Sequence, residues 1–295
     1  MEEEDVLTRW IILLCNHNLS RFSMRKYAIV PMILLLLTGC SLIKDLNFNE
    51  SRNPVNPGIP VAIGDPGRST DDPGEANKNI EIFFSDPTNI SGEKYDYGPE
   101  RFMVQAIKSA VVSVDIAIYN FNLWDVRDAL LEVFNRGVTV RVVIESENME
   151  NEVVQQLKQA GIQVIGDRRE SLMHNKFIIV DRIDVWTGSM NFTVGSAYYD
   201  NNNLVHIHSP EVAGNYQTEF NEMFVLDMFG DNIMSLTPDP LVLIDDSLVE
   251  IYFSPDDDVA EHIIEIINQA NESIVFMAYS FTSDVVSAAI IEKFN

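Results

Sequence analysis

Cysteine is scarce in this 295-residue chain: there are two, Cys15 and Cys40, both near the N-terminus. A disulfide scaffold and a cysteine-rich zinc site are thereby excluded. Bases are also in short supply, 20 Lys+Arg against 45 Asp+Glu, for a formal charge of −25. So acidic a protein is not a general nucleic-acid coat, because phosphate binding needs a cationic face, although one local basic pocket is still allowed. Tyr27 to Leu37 is apolar, but it falls short of the ~20 residues of a membrane-spanning helix. What is present is 46% hydrophobic and 22% charged. That is the balance of a globular protein of one or two domains, and it rules out a disordered chain, a collagen or a coiled coil.

Residues 1–39 read as an address and not as part of the fold. Met24-Arg25-Lys26 is a basic start, Tyr27 to Leu37 the apolar run, and Leu37-Thr38-Gly39-Cys40 the ending; these are the three parts of a secretory signal. The ending resembles the bacterial lipobox, in which the cysteine is acylated and becomes the first mature residue. On that reading Cys40 is the lipidation site and Met24 the true start. The protein is then exported across the inner membrane and lipid-anchored in the bacterial cell envelope. A plain signal peptide, or an anchor with an incidental cysteine, is the alternative. Removal of 1–39 takes away four bases and four acids, so the charge stays at −25. Residues 40–79 read as a flexible linker, with Asn53-Pro54, Asn56-Pro57-Gly58, Asp65-Pro66-Gly67 and Asp72-Pro73-Gly74 in succession. Proline withholds an amide donor and glycine costs entropy to order.

From Ile80 onward, apolar runs of strand length alternate with helical periods. Strands are expected over Ile80–Phe84, Ser113–Tyr119, Val138–Ile144 and Ile162–Ile165, and helices over Arg101–Ala110, Trp124–Phe134 and Glu152–Ala160. This alternation argues for an α/β layered domain with a mixed or parallel sheet. The chain then repeats itself. Ile80–Ser85 matches Val249–Ser254 at an offset of 169, while Ser113–Phe121 matches Ser273–Phe281 and Ala129–Asn135 matches Ala289–Asn295 at 160. Three ordered blocks indicate duplication. The division expected is a first repeat over 80–230, a connection over 231–248 and the first part of a second repeat over 249–295.

The chemistry concentrates at Met173-His174-Asn175-Lys176-Phe177-Ile178-Ile179-Val180-Asp181 and Gly188-Ser189-Met190-Asn191. Two residues apart on a strand, His174 and Lys176 would share a face. Asp181 ends the strand, and the Gly188-Ser189 turn can bring a hydroxyl and the Asn191 amide back to the same place. The set suits a phosphate: lysine supplies fixed charge, serine and asparagine supply neutral donors, and imidazole can attack phosphorus.

These residues resemble the HKD motif of the phospholipase D superfamily, and the resemblance covers 80–295. It implies an α/β/α layered sandwich, present here as one complete repeat plus the first part of a second. In the family two such repeats pack about a pseudo-twofold axis. One histidine forms a phosphohistidine, and the other protonates the leaving oxygen and then activates water or an alcohol. No cofactor or metal is required. The catalytic group implied is His174, Lys176 and Asp181, with His174 as nucleophile or acid/base partner and Asp181 supporting the local geometry. Lys176, Ser189 and Asn191 would hold the phosphate. Two departures stand out. Where many members carry Asn-x-Glu-Asn, this chain has Asp200-Asn201-Asn202-Asn203, so an amide replaces the carboxylate that orients a histidine. The second histidine would fall at position 334, beyond Asn295. The chain is therefore expected to look truncated, to supply half an active site, and to need a second HKD half or a homodimer partner.

Weaker candidates have plainer readings. His206 and His208 alternate on a predicted strand and are better read as satisfied strand histidines than as metal ligands. His262 reads as surface or packing, and Tyr198-Tyr199 as core, rim or cleft lining. Asp256-Asp257-Asp258 lacks the remaining ligands of a calcium loop and suits the N-terminus of the following helix. The acidic balance and the anchor favour a phospholipid phosphodiester as substrate, for hydrolysis or transfer. A surface or periplasmic nuclease and a non-catalytic envelope-anchored binding lipoprotein are the alternatives. Metabolic labelling with a fatty acid should mark the wild type and not Cys40→Ser; equal labelling of both would refute acylation at Cys40.

Overall fold

The computed structural model describes residues 33–35, 78–88, 97–169, 171–230 and 235–294. Cys40, nearly all of the linker and the leader apart from 33–35 lie outside the described residues. A three-residue strand, β1 (Ile33–Leu35), runs parallel to β11 (Val275–Met277).

Seven strands make one mixed sheet: β2 (Ile80–Phe84), β3 (Ser113–Ile118), β4 (Thr139–Ile144), β5 (Gln163–Gly166), β6 (Lys176–Val180), β7 (Asp184–Gly188) and β8 (Asn203–His208), in the order β2-β8-β7-β6-β3-β4-β5. β3, β4 and β5 are parallel, and every other pairing is antiparallel. Alternation sorts the side chains to two faces. Val114, Ile116 and Ile118 of β3, Val142 and Ile144 of β4 and Ile178 of β6 face one core. That core is completed by α1 (Glu100–Ser109), α2 (Trp124–Asn135) and α3 (Glu152–Gln159). Ala117, Val143, Phe177 and Ile179 face the other, beneath α5 (Pro210–Phe224). The expected α/β/α layering is what forms. Ser209 starts α5 by accepting the Val212 amide with its hydroxyl, and Pro210 occupies the first helical turn, where a missing amide costs nothing.

One charge pair is sealed beneath α5. Asp115, fully buried in β3, accepts Nε and Nη2 of Arg141 from β4, both at 2.7 Å. The guanidinium lies over the rings of Phe220 and Phe224 at 4.9 and 5.1 Å. Two parallel hydrogen bonds satisfy the buried carboxylate, the condition under which such a pair is tolerated.

The later residues recapitulate the earlier order of elements. α6 (Val259–Gln269), β11 and α7 (Asp284–Phe294) follow one another as α1, β3 and α2 do, with Trp124 and Asp284 starting equivalent helices 160 residues apart. Ile263, Ile266, Ile267, Val286 and Ala289 give this pair of helices its own small core. The counterpart of β2 behaves differently. Val249 sits in a hairpin of β9 (Leu241–Ile244) and β10 (Ser247–Glu250), and Val249, Ile251 and Phe253 pack into the core beneath α5. β11 is left open, with Val275 69%, Met277 59% and the nearby Phe281 37% exposed.

Between β6 and β7 the chain reverses through Asp181 and Arg182, both left-handed at φ 51° and 61°. The Asp181 carboxylate accepts the amides of Val111 (3.0 Å), Val112 (2.7 Å) and Ser113 (3.0 Å), which lead into β3. Charge-assisted hydrogen bonds of this kind are worth roughly 1–3 kcal/mol together with the desolvation they relieve. Asp181→Ala should lower unfolding stability by about that amount in urea titrations. Asp181→Asn, which tolerates the same backbone and keeps one acceptor, should recover part of the loss.

Candidate active site

The site lies on the edge of the sheet where β3, β4 and β7 end and β6 and β8 begin. Open α/β sheets place ligands at the carboxyl ends of parallel strands, where connections diverge. Here backbone bonds fix the loops to one another. Ile118 pairs with Lys176, and the Tyr119 amide donates to the Asn175 carbonyl at 2.9 Å. The loop after β3 is joined to the loop after β7: the amides of Asn122 and Leu123 reach the Phe192 carbonyl at 2.8 and 3.0 Å, and the Phe192 amide returns to Asn120 at 3.2 Å. The buried rings of Phe121 and Phe192 meet edge to face at 6.1 Å and weld the join.

Gly188 is required where it stands. Its φ is +141°, and a Cβ there would come within 2.6 Å of the Asn203 carbonyl oxygen. Ser189, next in line, is buried. Its hydroxyl donates to Asn202 Oδ1 at 2.9 Å and accepts the Asn203 amide at 2.8 Å. The single hydroxyl proton expected to serve a phosphate is thus given to Asn202. Asn202 in turn donates through Nδ2 to the Ser196 carbonyl (2.9 Å) and through its backbone amide to Ser85 Oγ (2.7 Å). The amide in the carboxylate's place ties β2, the turn after β7 and α4 (Val194–Tyr198) together.

His174 lies two residues ahead of β6, in irregular backbone, so it does not share a strand face with Lys176 as the spacing suggested. Proximity comes instead from Lys176 turning back, its Nζ donating to the His174 carbonyl at 3.0 Å. Glu145, just after β4, takes the Met173 amide at 2.6 Å and fixes the approach to His174. Lys176 is only 8% exposed, and burial pulls its ammonium down to about 7. Burial, assisted by the charge of Lys176, pushes His174 down to about 3, so the imidazole is neutral at physiological pH. His174 Nδ1 and Asn191 Oδ1 are both buried without a hydrogen-bond partner. A neutral imidazole, a buried ammonium and an asparagine side chain whose amide NH2 can donate are thus gathered at one edge. That is a set able to attack an electrophilic phosphorus and compensate its oxygens.

Asp181 is not brought there. It follows the far end of β6, five residues beyond Lys176, or about 16 Å at ~3.3 Å per residue. Its place is the turn described above, a supporting one outside the reacting group. Tyr119 was overlooked as a site residue: its ring meets the His174 ring at 4.7 Å and 72°, and Lys176 Nζ lies over it at 5.5 Å. Its repeat counterpart, Tyr279, was the available clue.

The Tyr198 hydroxyl donates to Glu100, a buried acid that burial raises to about 7, and Tyr199 is exposed. His262 stacks on Tyr252 at 3.7 Å. Asp257 serves the loop more than the helix, accepting Ser235 and Thr237 hydroxyls at 2.7 Å and the Phe253 amide at 3.0 Å. Asp258 is the left-handed N-cap of α6 and makes no side-chain cap. Among the described residues one carboxylate group could hold a metal ion, Glu219, Glu222 and Asp256, with oxygens within 4.8 Å of one another. It lies on the α5 side of the segment that carries His174 and Lys176, where Asn175 Nδ2 donates to Glu219 at 3.2 Å.

Residues 103–224 match the family model described as cardiolipin synthase, PLD-like domain. The chain is 28% identical over 166 residues to the mitochondrial cardiolipin hydrolase of Chlamydomonas reinhardtii, covering 56% of this chain and 69% of that protein. It is 33% identical over 143 residues to a phospholipase D of Rickettsia prowazekii, covering 48% of this chain and 65% of that one. The chain spans less than two thirds of other curated relatives, 60% of a phospholipase D of Rickettsia felis and 53% of the mitochondrial cardiolipin hydrolase of Danio rerio. Among solved structures it is similar to Nuc of Salmonella typhimurium, a phospholipase D family member, at 28% identity and a TM-score of 0.42, covering 48% of this chain and 91% of that one.

Away from the site, His206 and His208 are satisfied strand histidines. Asp184 Oδ1 accepts both, from His206 Nε2 at 2.8 Å and His208 Nδ1 at 2.7 Å, and Glu81 takes His206 Nδ1 at 3.1 Å. Burial opposes the charge on His206, but the two carboxylates prevail and raise it to about 9. A raised pKa stabilises the fold fully below the unfolded value near 6.5, and that contribution disappears as pH rises through about 9. The stability lost on His206→Gln should therefore be largest below pH 6.5 and shrink as pH rises through about 9, read as the difference between the wild-type and variant urea midpoints at each pH so that the opposing titration of buried Lys176 cancels.

Proposed function

Because this chain belongs to the phospholipase D superfamily, we propose that it is a phosphodiesterase that works through a phosphohistidine at His174. The observation that carries the reading is the buried, neutral imidazole beside the Lys176 ammonium. The His174 Nε2 lone pair attacks phosphorus, and the bond from phosphorus to the leaving oxygen breaks. That oxygen takes a proton from a general acid; water or an alcohol then gives its proton to the same group as its oxygen bonds to phosphorus and the bond to His174 breaks. Lys176 and Asn191 compensate the phosphoryl oxygens. A histidine held near 3 is a nucleophile and a poor acid at neutral pH, so the proton comes from a second group. The family's second HKD half, from a further repeat or a second copy, would supply it.

The favoured substrate is a phospholipid. The charge of −25 opposes a polyanion, and acylation at Cys40 would hold the domain beside headgroups in the bacterial envelope. A nuclease of the same superfamily is the alternative. Asn202, a neutral amide where a carboxylate would support an imidazolium, favours a non-catalytic binding lipoprotein as the second reading.

The purified protein should release headgroup from phospholipid vesicles faster than it cleaves a single-stranded oligonucleotide, and EDTA should leave turnover unchanged. His174→Ala should reduce turnover by at least about 10³-fold, as loss of a covalent nucleophile does. Cleavage of the oligonucleotide alone would transfer the assignment to nuclease; binding of vesicles with no turnover by the wild type would favour the binding lipoprotein. The value kcat/KM should fall as pH rises through about 7, where Lys176 loses its proton.

A further inference from the structure

Lys176 presents an unusual problem for a phosphate-binding cation. It is almost fully buried, and its one hydrogen-bond acceptor among the described contacts is neutral, the His174 carbonyl. The carboxylates that reach this segment are committed elsewhere: Glu145 takes the Met173 amide, and Glu219 of α5 takes the Asn175 side chain. The other titratable group on its own segment, His174, repels a proton on Lys176 if it carries one itself. What faces the ammonium from the neighbouring strand is an aromatic ring, Tyr119, with Nζ 5.5 Å from the ring centroid. The same ring meets the imidazole edge to face at 4.7 Å.

We propose that Tyr119 is a positioning residue of the site, its ring holding the Lys176 ammonium on one side and orienting the His174 imidazole on another. The proposal rests on the reading of His174 and Lys176 as the reacting pair. The ring is itself held on both sides of its peptide. Its amide donates to the Asn175 carbonyl at 2.9 Å, and its carbonyl accepts Asn148 Nδ2 at 2.8 Å. An aromatic face attracts a cation most where water is excluded, which is the situation of Lys176. The imidazole, whose Nδ1 has no hydrogen-bond partner, has in this contact a restraint that a hydrogen bond does not supply. A second line comes from the duplication: Tyr279 stands 160 residues on, at the equivalent end of β11, so an aromatic at this position recurs in the second repeat.

The ring, not the hydroxyl, is therefore the working part. Tyr119→Phe should keep kcat, the alkaline limb of the pH profile and the titration of Lys176. Tyr119→Leu, apolar but smaller and without a π face, should lower kcat by about 10- to 100-fold, which is about 1.4–2.7 kcal/mol and the order of a cation–π contact in a desolvated site. It should also move the alkaline limb to lower pH. The Lys176 titration is followed independently of turnover by NMR of ¹³Cε-labelled lysine, its signal assigned by disappearance in Lys176→Arg. If the leucine variant does not fold, phenylalanine and its mono-, di- and trifluorinated analogues at position 119 weaken the π face at nearly constant shape. The midpoint should then fall stepwise with fluorination. An unchanged Lys176 midpoint across Tyr119→Leu or the fluorinated series would overturn the proposal, and so would a phenylalanine variant as impaired as the leucine one. Because the midpoint is read without substrate, an inactive wild type would count against the phosphodiesterase reading alone.

Discussion

A positive charge that cannot reach water governs this site. Lys176 opens β6 with its ammonium between the His174 carbonyl and the Tyr119 ring that follows β3, and burial lowers its hold on the proton. The neighbouring imidazole, similarly shielded and beside that charge, stays neutral. Neither group is neutralised by a carboxylate, in contrast to Asp115 and Arg141 on the other face of the sheet, where two short hydrogen bonds close the pair off. A closed ion pair is structural because its charge is already answered. An unpaired buried cation is suited to an anionic ligand, whose arrival offsets the desolvation of the lysine as it binds.

The sheet makes such an arrangement affordable in free energy by separating its two faces. Residues of one parity pack under α1, α2 and α3 and those of the other under α5, so the strand ends are left to the loops. The loops are not loose: the Phe192 carbonyl receives two amides from the β3 loop, and Gly188 allows Asn203 to approach where any side chain would collide. Rigid loops over a firm sheet keep a desolvated lysine and a neutral imidazole in place without a carboxylate, among the described residues, hydrogen-bonded to either.

Much of the fold was legible because strand and helix periods are strong here. Ile80–Phe84 forms at the bounds its alternation suggests, and the helix expected over Trp124–Phe134 extends by one residue. The order of elements in the duplication was legible for the same reason, but the fate of Val249, Ile251 and Phe253 was not. An apolar run does not say which core it will enter, and these enter the one beneath α5. His174, Lys176 and Asn191 could be picked out by chemistry, whereas hydrogen-bond allegiance could not. Nothing in the spacing reveals that the Ser189 hydroxyl is spent on Asn202, or that Asp181 sits at the opposite end of the strand. Tyr119 was hidden by its surroundings, since an aromatic at the end of an apolar strand reads as core.

The turn at Asp181 and Arg182 reaches the chemistry from the end of the strand remote from it. With Asp181 anchored to the amides that lead into β3, β6 can pair with β3 in only one alignment, Val114 against Val180 through Ile118 against Lys176. A slip of one residue would exchange the faces of every side chain on β6. Asn175 would then lie where Lys176 does, and the ammonium would point toward α5 and Glu219. The carboxylate at the turn is in that sense the index mark of the strand: it decides, from one end, that a cation and not an amide stands at the other.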